Sequence, residues 1–443
     1  MKKFLKKATT GIIGAGLLSA GVLLSSSNAM ASGYQVVLQG SRVTAMGNCA
    51  VGFRSGAPSL FFNPGAMAME QNSSIMLGAN FVSSNVQYAA PNSTYRAETD
   101  SPLGTPFFLY GIYSVNEKLN VGLGVVTPFG STVTWGDEWQ GRFSLNELSL
   151  AAFVVQPTVS YQVSEKFGIG AGLDIAFGSV FLQRSAPLEG QDGSLVNAKD
   201  GSAAPAGSKP YASLEGSATP AVGFNVGAYY EASEKFSLGI NYRSKVDLTV
   251  EDGEATFIVP SLVQTQFQAD KFNSTLPLPS VFSIGAGIKP TDKLQLALEW
   301  SMTGWSAYEE LKFEYNAPVL GNSETVSERN YKNSSVFKLG AEYMATESLA
   351  LRGGIYYDQT AVDDGYITPE TPDANTIGYT LGLGYTVGER FTIDVHYLLV
   401  DKAERENVAA PNSGGIDGTF EAGANIFGFG LSYKFGGSTK AAE

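Results

Sequence analysis

The chain has 443 residues, with 29 Lys and Arg against 42 Asp and Glu, and therefore a net charge of −13. This acidity excludes a nucleic-acid-binding protein, because such proteins hold phosphates through clusters of positive charge. A single His and a single Cys exclude a Cys/His zinc site and a disulfide scaffold, so we expect no metal and no cofactor. Cys49 is expected to be a small buried residue.

Residues 1–31 have the features of a secretory signal peptide. Four lysines within the first seven residues precede an apolar, small-residue stretch at residues 8–24. Ala29-Met30-Ala31 then offers the small-x-small pattern of a cleavage site. We therefore expect an exported protein that begins at Ser32. Beyond Ser32 no run approaches the roughly 18 apolar residues of a membrane-spanning helix, so a membrane form of this chain must be a β-barrel.

The next segment, residues 32–72, precedes the first alternating run and is rich in Gly, Ser and Ala. Its forty-odd residues are too many for a simple tail. We expect this segment to lie inside the barrel lumen as an N-terminal hatch. It contains the tripeptide Asn63-Pro64-Gly65, which by itself marks only an ordinary turn.

A short turn motif divides the remainder of the chain. A small or polar residue, an acid and usually a cation precede an apolar residue that opens a strictly alternating run. The uneven spacing of the motif excludes a fixed-length repeat and favours tight hairpins with variable loops at their other ends. The copies begin at Asn116, Ser164, Ser233, Thr291, Thr346 and Gly388.

The run after each turn has the two-residue period of a strand with one apolar face. Leu294, Leu296 and Leu298 share one face, and Glu299 lies on the other. A soluble sandwich would show the same alternation, but strands of about 10–15 residues and an aromatic position at one common depth favour a membrane barrel. That position, three residues before the turn, holds Tyr113, Tyr161, Tyr230, Tyr343 and Tyr385.

The runs on both sides of the six turns predict about fourteen antiparallel strands. An even number is usual for bacterial barrels, with six short periplasmic turns and seven outer loops for a barrel of this size. The expected fold is an all-β transmembrane barrel over residues 73–436, followed by a tail, 437–443. The predicted strands lie near 74–88, 103–115, 119–127, 145–163, 167–184, 219–232, 236–251, 276–289, 293–316, 334–345, 348–358, 376–387, 390–402 and 423–435.

Several segments resemble the FadL/TodX family of outer-membrane transporters for long-chain fatty acids and hydrocarbons. Asn63-Pro64-Gly65 stands where the hatch of that family carries Asn-Pro-Ala, with Gly65 in place of the alanine. Further similarity lies at residues 278–287, 300–306, 338–343 and 351–354. The resemblance implies a channel, not an enzyme, that takes up long-chain fatty acids or other hydrophobic molecules passively across the outer membrane of a Gram-negative bacterium. We expect a monomer surrounded by outer-membrane lipid.

Thr127-Pro128-Phe129-Gly130 is predicted to end the third strand. The proline removes a ladder donor and the glycine permits a bend, so neighbouring strands can part here, although an ordinary strand end has the same residues. In the family, the third strand has an inward kink that opens a gap in the wall. The resemblance therefore implies lateral exit of an apolar substrate past Pro128, Phe129 and Gly130.

Residues 257–267 are predicted to lie in an outer loop, yet they are rich in apolar side chains. An exposed apolar cluster requires an explanation. It packs against a neighbouring loop or, as the resemblance implies, forms a groove that captures an acyl chain. Arg184, which strand parity turns inward near the outer mouth, is a candidate partner of a fatty-acid carboxylate. The candidate capture residues are Phe257, Ile258, Leu262, Val263 and Phe267.

Two alternatives to a hydrophobic channel remain open. Asp394 and His396 face the lumen by parity and permit a lipid hydrolase, but no serine stands in a distinctive setting for a nucleophile. A general polar-solute porin is the second alternative, and the long predicted hatch argues against it. A structural polar network is the favoured interpretation of the inward-facing charges, which include Glu299, Lys338, Glu342 and Arg352.

Overall fold

The computed structural model describes residues 33–188 and 193–435. The predicted signal peptide, 1–31, and the predicted tail, 437–443, lie outside the described residues. Within the described part, the chain forms one antiparallel sheet of 22 strands, three short α-helices and two 3-10 helices. No helix in these ranges is long and apolar enough to cross a membrane.

The α-helices lie within residues 33–72, and the 3-10 helices lie in the outer loops. The α-helices are α1 (Ser41–Ala45), α2 (Ser59–Phe62) and α3 (Pro64–Met67), and the 3-10 helices are Ser261–Gln266 and Trp305–Ala307. The strands are β1 (Ser73–Ala89), β2 (Arg96–Glu98), β3 (Phe107–Ser114), β4 (Leu119–Thr134), β5 (Glu147–Ser164), β6 (Phe167–Ser185), β7 (Leu195–Asn197), β8 (Tyr211–Ser217), β9 (Ala221–Ser233), β10 (Phe236–Arg243), β11 (Val246–Pro260), β12 (Lys271–Leu278), β13 (Val281–Thr291), β14 (Leu294–Thr303), β15 (Glu310–Val319), β16 (Asn322–Glu328), β17 (Ser334–Met344), β18 (Leu349–Asp358), β19 (Thr376–Val387), β20 (Phe391–Lys402), β21 (Arg405–Asn407) and β22 (Gly418–Phe435).

Fourteen of these strands form a closed barrel. Each pairs with the next around the ring, in the order β1, β3, β4, β5, β6, β9, β10, β13, β14, β17, β18, β19, β20 and β22. The ring closes where β1 pairs with β22, from Ser73 opposite Phe435 to Ala89 opposite Thr419. The predicted fourteen-stranded antiparallel barrel is confirmed, and the remaining strands extend the wall outward or belong to the outer loops.

The predicted turns and alternation are also confirmed. Each of the six motifs joins two consecutive barrel strands, as between β5, which ends at Ser164, and β6, which begins at Phe167. Along β14, Leu298 is exposed and Glu299 is buried, as expected for a lipid-facing and a lumen-facing position. All five tyrosines that precede the turns point outward and are exposed, and Tyr433 of β22 is exposed with them.

Residues 33–72, here called the N-terminal segment, pack against the inner face of the wall. Amide side chains of the barrel hold its backbone, since Asn80 donates to the Leu38 carbonyl at 3.1 Å and Asn120 donates to the Met67 carbonyl at 2.7 Å. Gln156 donates to the Leu60 carbonyl at 2.9 Å. These side chains tie backbone carbonyl groups of the N-terminal segment to the wall.

Glycines of the wall let the N-terminal segment approach closely. A Cβ atom at Gly239 would lie 1.8 Å from the Val51 carbonyl oxygen, and one at Gly340 would lie 2.2 Å from the Met46 carbonyl oxygen. Any larger residue at either position would collide with backbone. The glycines that alternate with outward apolar residues therefore serve the contact between the wall and the segment.

Charged residues connect the wall to the N-terminal segment near its middle. Lys338 donates to Glu299 at 2.7 Å, and Glu299 also accepts the backbone N–H groups of Ala50 and Val51 at 2.7 and 2.9 Å. Glu342 accepts from Arg42 of the segment and from Arg352 of β18, while Arg352 also donates to Asp394. The predicted inward polar network is thus confirmed, and it includes Arg42, which the sequence did not indicate.

Candidate functional site

The third barrel strand, β4, has a β-bulge between Val126 and Phe129, which bends its outer half away from β3 while its pairing with β5 continues. Its alternation stops at Val126, after which residues 126–133 are all buried, and its register with β5 shifts between Val126 and Phe129. Pairing with β3 ends where Val126 lies opposite Phe108. The expectation that the strand ends near residue 127 is wrong, because β4 continues to Thr134. One edge of its outer half is consequently without a β3 partner.

The start of the N-terminal segment takes up part of that edge. The backbone N–H of Val36 donates to the Pro128 carbonyl at 2.8 Å, and the N–H of Gly130 donates to the Tyr34 carbonyl at 3.0 Å. The Gln39 side chain adds a hydrogen bond to the carbonyl of residue 127 at 3.1 Å. Residues 34–36 therefore act as a short extra strand beside the bend.

An apolar cavity lies in the lumen beside the bend. Its walls come from the outer halves of β5 and β6 and from β11 and β12, through side chains such as Leu148, Leu248 and Leu276. Tyr34 closes one side, where its hydroxyl donates to the Pro277 carbonyl and its ring lies 6.2 Å from the Phe129 ring. Such a pocket suits a largely apolar molecule.

A charged pair lines the same cavity. Arg329 is 2% exposed, donates to the Ser413 carbonyl at 3.0 Å, and has a longer contact of 3.5 Å with Glu370. Burial acts to lower the pKa of Arg329, but Tyr308 and Glu370 outweigh this effect and raise that pKa. The guanidinium therefore stays charged and is paired with Glu370 in a lining that is mostly apolar.

The tripeptide Asn63-Pro64-Gly65 lies at the start of α3, away from the bend in β4. The Asn63 side chain accepts from the Gly65 N–H at 3.0 Å and donates to the Ala228 carbonyl of β9 at 3.2 Å. A Cβ atom at Gly65 would lie 2.6 Å from the Ala228 Cα atom. The glycine that replaces the alanine of the family pattern is therefore required by close contact with β9.

The expected capture residues are mostly covered. Phe257, Ile258 and Phe267 are buried, so the expectation of an exposed apolar cluster is wrong for them; Phe257 and Phe267 pack ring to ring at 5.5 Å. The physical reason is that the Phe257 ring packs against the rings of Phe267 and Tyr315, while β7 and β8 extend the sheet beside this part of β11. Leu262 is 70% exposed, and Val263 is half-buried.

Arg184 is half-buried near the end of β6. It lines a small cavity together with Phe257, Arg329 and Glu370. The structure thus brings Arg184 close to one predicted capture residue and to the charged pair of the apolar cavity. It does not bring Asn63-Pro64-Gly65 to the bend at residues 128–130, because the tripeptide contacts β6 and β9.

Asp394 and His396 do not form the pair that a hydrolase requires. Asp394 accepts from Arg352 at 2.6 Å, and neither ring nitrogen of His396 has a hydrogen-bond partner among the described residues. A catalytic histidine needs a carboxylate or carbonyl to orient it and a nucleophile within reach. Across the two described ranges, no group of His, Cys, Asp and Glu side chains could hold a metal ion.

The sequence carried a signal for the apolar cavity that parity could have detected. Many inward positions of the wall are small or polar, whereas Leu148 and Leu150 of β5 and Leu248 and Val250 of β11 also point inward. Large aliphatic residues on the lumen face indicate a dry pocket. Arg329 had no comparable signal, because it follows β16 in an outer loop.

A closed fourteen-stranded barrel with a lipid-facing apolar surface and an apolar cavity in its lumen defines the class of outer-membrane transport barrels. The chain belongs to the family described as outer membrane protein transport protein (OMPP1/FadL/TodX), whose model matches residues 22–435. The predicted family and the predicted location in the outer membrane of Gram-negative bacteria are confirmed.

Two relatives illustrate the similarity in sequence. The 47 kDa outer membrane protein of Pasteurella multocida is 26% identical, over 84% of this chain and 87% of the relative. The long-chain fatty acid transport protein of Escherichia coli is 22% identical, over 94% of this chain and 98% of the relative.

Two solved structures share the fold. A FadL homologue of Pseudomonas aeruginosa has a TM-score of 0.76 at 19% identity, over 91% of this chain and 100% of the other. The toluene transporter TodX of Pseudomonas putida has a TM-score of 0.70 at 16% identity, over 92% of this chain and 100% of the other.

Proposed function

We propose that this protein takes up long-chain fatty acids or other hydrophobic compounds passively across the outer membrane. The family assignment supports hydrophobic cargo, and the two related transporters named above carry fatty acid and toluene in their names. The apolar cavity supports an aliphatic or aromatic body. Arg329 in its lining is paired with Glu370, so the carboxylate of a fatty acid would have to compete with Glu370 for this guanidinium.

The proposed route begins at the outer loops. Leu262 and Val263 offer the accessible apolar surface, and Phe257 and Phe267 form the packed layer beneath them. Arg184 lies in the small cavity next to Phe257 and is proposed to attract the carboxylate as the chain descends. From there the apolar cavity receives the acyl chain.

The N-terminal segment is proposed to be the hatch. It is hydrogen-bonded to side chains of many strands, so it blocks a straight path along the lumen axis. Asn63-Pro64-Gly65 would anchor its far end on β6 and β9, while residues 34–36 cover the bend in β4. Movement of residues 34–36 alone would then open a way through the wall.

The single observation that carries lateral exit is the edge of β4 that β3 leaves after Val126. An acyl chain gains about 0.8 kcal/mol per CH₂ group by staying out of water. A side exit into lipid is therefore favoured over release into the periplasm. Pro128, Phe129 and Gly130 line the proposed opening.

The experiment restores a regular strand at the bend. Pro128→Val with Gly130→Val gives residue 128 a backbone donor and replaces two residues that favour irregular strands. We expect fatty-acid uptake by cells that lack their own fatty-acid channel to fall, while binding of fatty acid to the purified protein is retained. Heat-resistant migration in detergent gels measures whether the barrel is folded.

A matched control lies on the neighbouring strand. Pro157 of β5 stands opposite Leu123 in a part of the β4–β5 ladder that has no register shift, and Pro157→Val should leave uptake unchanged. Uptake at the wild-type rate in a folded Pro128→Val, Gly130→Val variant would exclude lateral exit at this position. Ion conductance in planar bilayers would instead indicate a polar-solute porin.

A further inference from the structure

A second cavity lies in the lumen on the other side of the partition formed by residues 34–36 and the bend in β4. It shares no lining residue with the apolar cavity described above. Strands β10, β13, β14, β17, β18, β20 and β22 supply its wall. One part of that wall is aliphatic, through Val336, Leu398, Val400 and Ile426.

Two buried amides face this aliphatic part. Asn48 of the N-terminal segment is 4% exposed and Asn241 of β10 is 6% exposed, and both line the cavity. The side-chain oxygen of each has no hydrogen-bond partner within the described residues. A buried amide oxygen without a donor costs about 1–3 kcal/mol, so such groups indicate a missing partner.

The charges of the cavity select among possible partners. Lys338 is engaged by Glu299 at 2.7 Å, and Arg243 is engaged by Asp174 at 2.5 Å. Both cations that line the cavity are thus already paired, and Asp358 adds another acid to the lining. A carboxylate would lack a free cation here. It also has no proton to donate to the two amide oxygens.

A hydroxyl group meets both requirements. An amide side chain presents an N–H donor and an oxygen acceptor. A hydroxyl group can donate to the oxygen or accept from the N–H, so it forms a hydrogen bond in either orientation of the amide. The aliphatic wall suits an alkyl chain beside that head group. We propose that this cavity is a second binding site, which takes neutral amphiphiles with a hydroxyl head group, such as long-chain primary alcohols. Pro128 and Phe129 of the proposed opening belong to the lining of this site, but binding of an alcohol here does not require exit through the wall.

The test measures equilibrium binding of 1-dodecanol, dodecane and dodecanoate to the full barrel in nanodiscs by native mass spectrometry. Wild-type protein should bind 1-dodecanol at least about tenfold more tightly than dodecane, because two amides are completed. Asn241→Leu has similar volume and should lower 1-dodecanol affinity about fivefold while leaving dodecane unchanged. Asn48→Gly should do the same, since glycine tolerates the φ of +60° at this position.

Three outcomes would overturn the proposal. Equal affinity of wild-type protein for 1-dodecanol and dodecane would indicate that the cavity is a water-filled space. Unchanged 1-dodecanol affinity in both folded variants would show that the two amides do not belong to the site. Leu248→Trp fills the other cavity and separates this proposal from the proposed function. It should reduce dodecanoate uptake and leave 1-dodecanol binding intact; loss of 1-dodecanol binding in this variant would assign the alcohol to the fatty-acid cavity.

Discussion

A disulfide between the N-terminal segment and the bend in β4 should close the proposed exit reversibly. Gln35 and Phe129 are antiparallel partners, and the hydrogen bonds beside them run from Val36 to Pro128 and from Gly130 to Tyr34. This pattern makes Gln35 and Phe129 a non-hydrogen-bonded pair, for which the Cα atoms lie about 4.5 Å apart. That separation is within the range of disulfides.

The size of the effect follows from the bonds that hold residues 34–36 to β4. There are two backbone hydrogen bonds and one from the Gln39 side chain. At about 0.5–1.5 kcal/mol each, they total about 1.5–4.5 kcal/mol, so the open form would be roughly a tenth to a thousandth of the population. A covalent link removes that open fraction, and uptake should fall below about a tenth of the wild-type rate.

The assay compares fatty-acid uptake by cells that carry Gln35→Cys with Phe129→Cys, before and after a reducing agent, in a Cys49→Ala background. Uptake should be low in the oxidised form and return on reduction. Thr386→Cys with Thr392→Cys is a matched control, because these hydroxyls lie 3.1 Å apart on two strands that are already paired. Full uptake by the oxidised Gln35–Phe129 variant would refute the gating role of residues 34–36.

The remaining predictions concern the N-terminal segment. Gly65→Ala places a methyl group against the backbone of β9 and should lower the free energy of unfolding by about 1–3 kcal/mol, measured by denaturant titration. Glu299→Gln leaves Lys338 buried without a counter-charge and should cost about 3–5 kcal/mol in the same titration. Asn63→Ala with Pro64→Ala removes the amide that ties α3 to β9, and it should impair fatty-acid uptake without loss of heat-resistant migration.

Each of these predictions has a control or an outcome that would contradict it. Gly111→Ala tests the close-contact argument, because a Cβ atom at Gly111 meets nothing within 4 Å and stability should be unchanged. Adding Lys338→Met to Glu299→Gln should recover much of the lost stability, and no recovery would contradict the ion-pair explanation. Wild-type uptake in the folded Asn63→Ala, Pro64→Ala variant would count against a hatch.

The barrel could be predicted from sequence because its information is local. Each strand is set by alternation between apolar outward residues and small or polar inward residues, and each short turn repeats one motif. The prediction that β4 ends near residue 127 was wrong because Pro128 and Gly130 are typical of a strand end. β4 continues because β5 on one side and residues 34–36 on the other supply partners, and residues 34–36 are more than ninety positions away in the chain.

The candidate site was less predictable because the burial of its residues depends on contacts between segments that are distant in the sequence. Residues 257–267 are apolar in any context, but only the contacts of the Phe257 ring with Phe267 and Tyr315 determine that Phe257 is buried, whereas Leu262 is exposed. Arg329 and Asn48 lie in irregular backbone, where parity assigns no direction. Gly65 could be recognised as a departure from the family pattern, but its reason lies in the contact with Ala228.

The height of the bend in the membrane has a consequence for where cargo is delivered. Tyr113 of the periplasmic-side ring pairs with Val121, and Pro128 follows seven residues later on the same strand. With a rise of about 3.3 Å per residue and a tilt of about 40°, the bend lies about 18 Å above the ring, in an apolar band about 25 Å tall. An acyl chain that leaves at this height enters the outer leaflet. Passage through the wall would then carry the acyl chain only as far as the outer leaflet. Its movement to the inner leaflet would depend on the lipid bilayer and not on the protein.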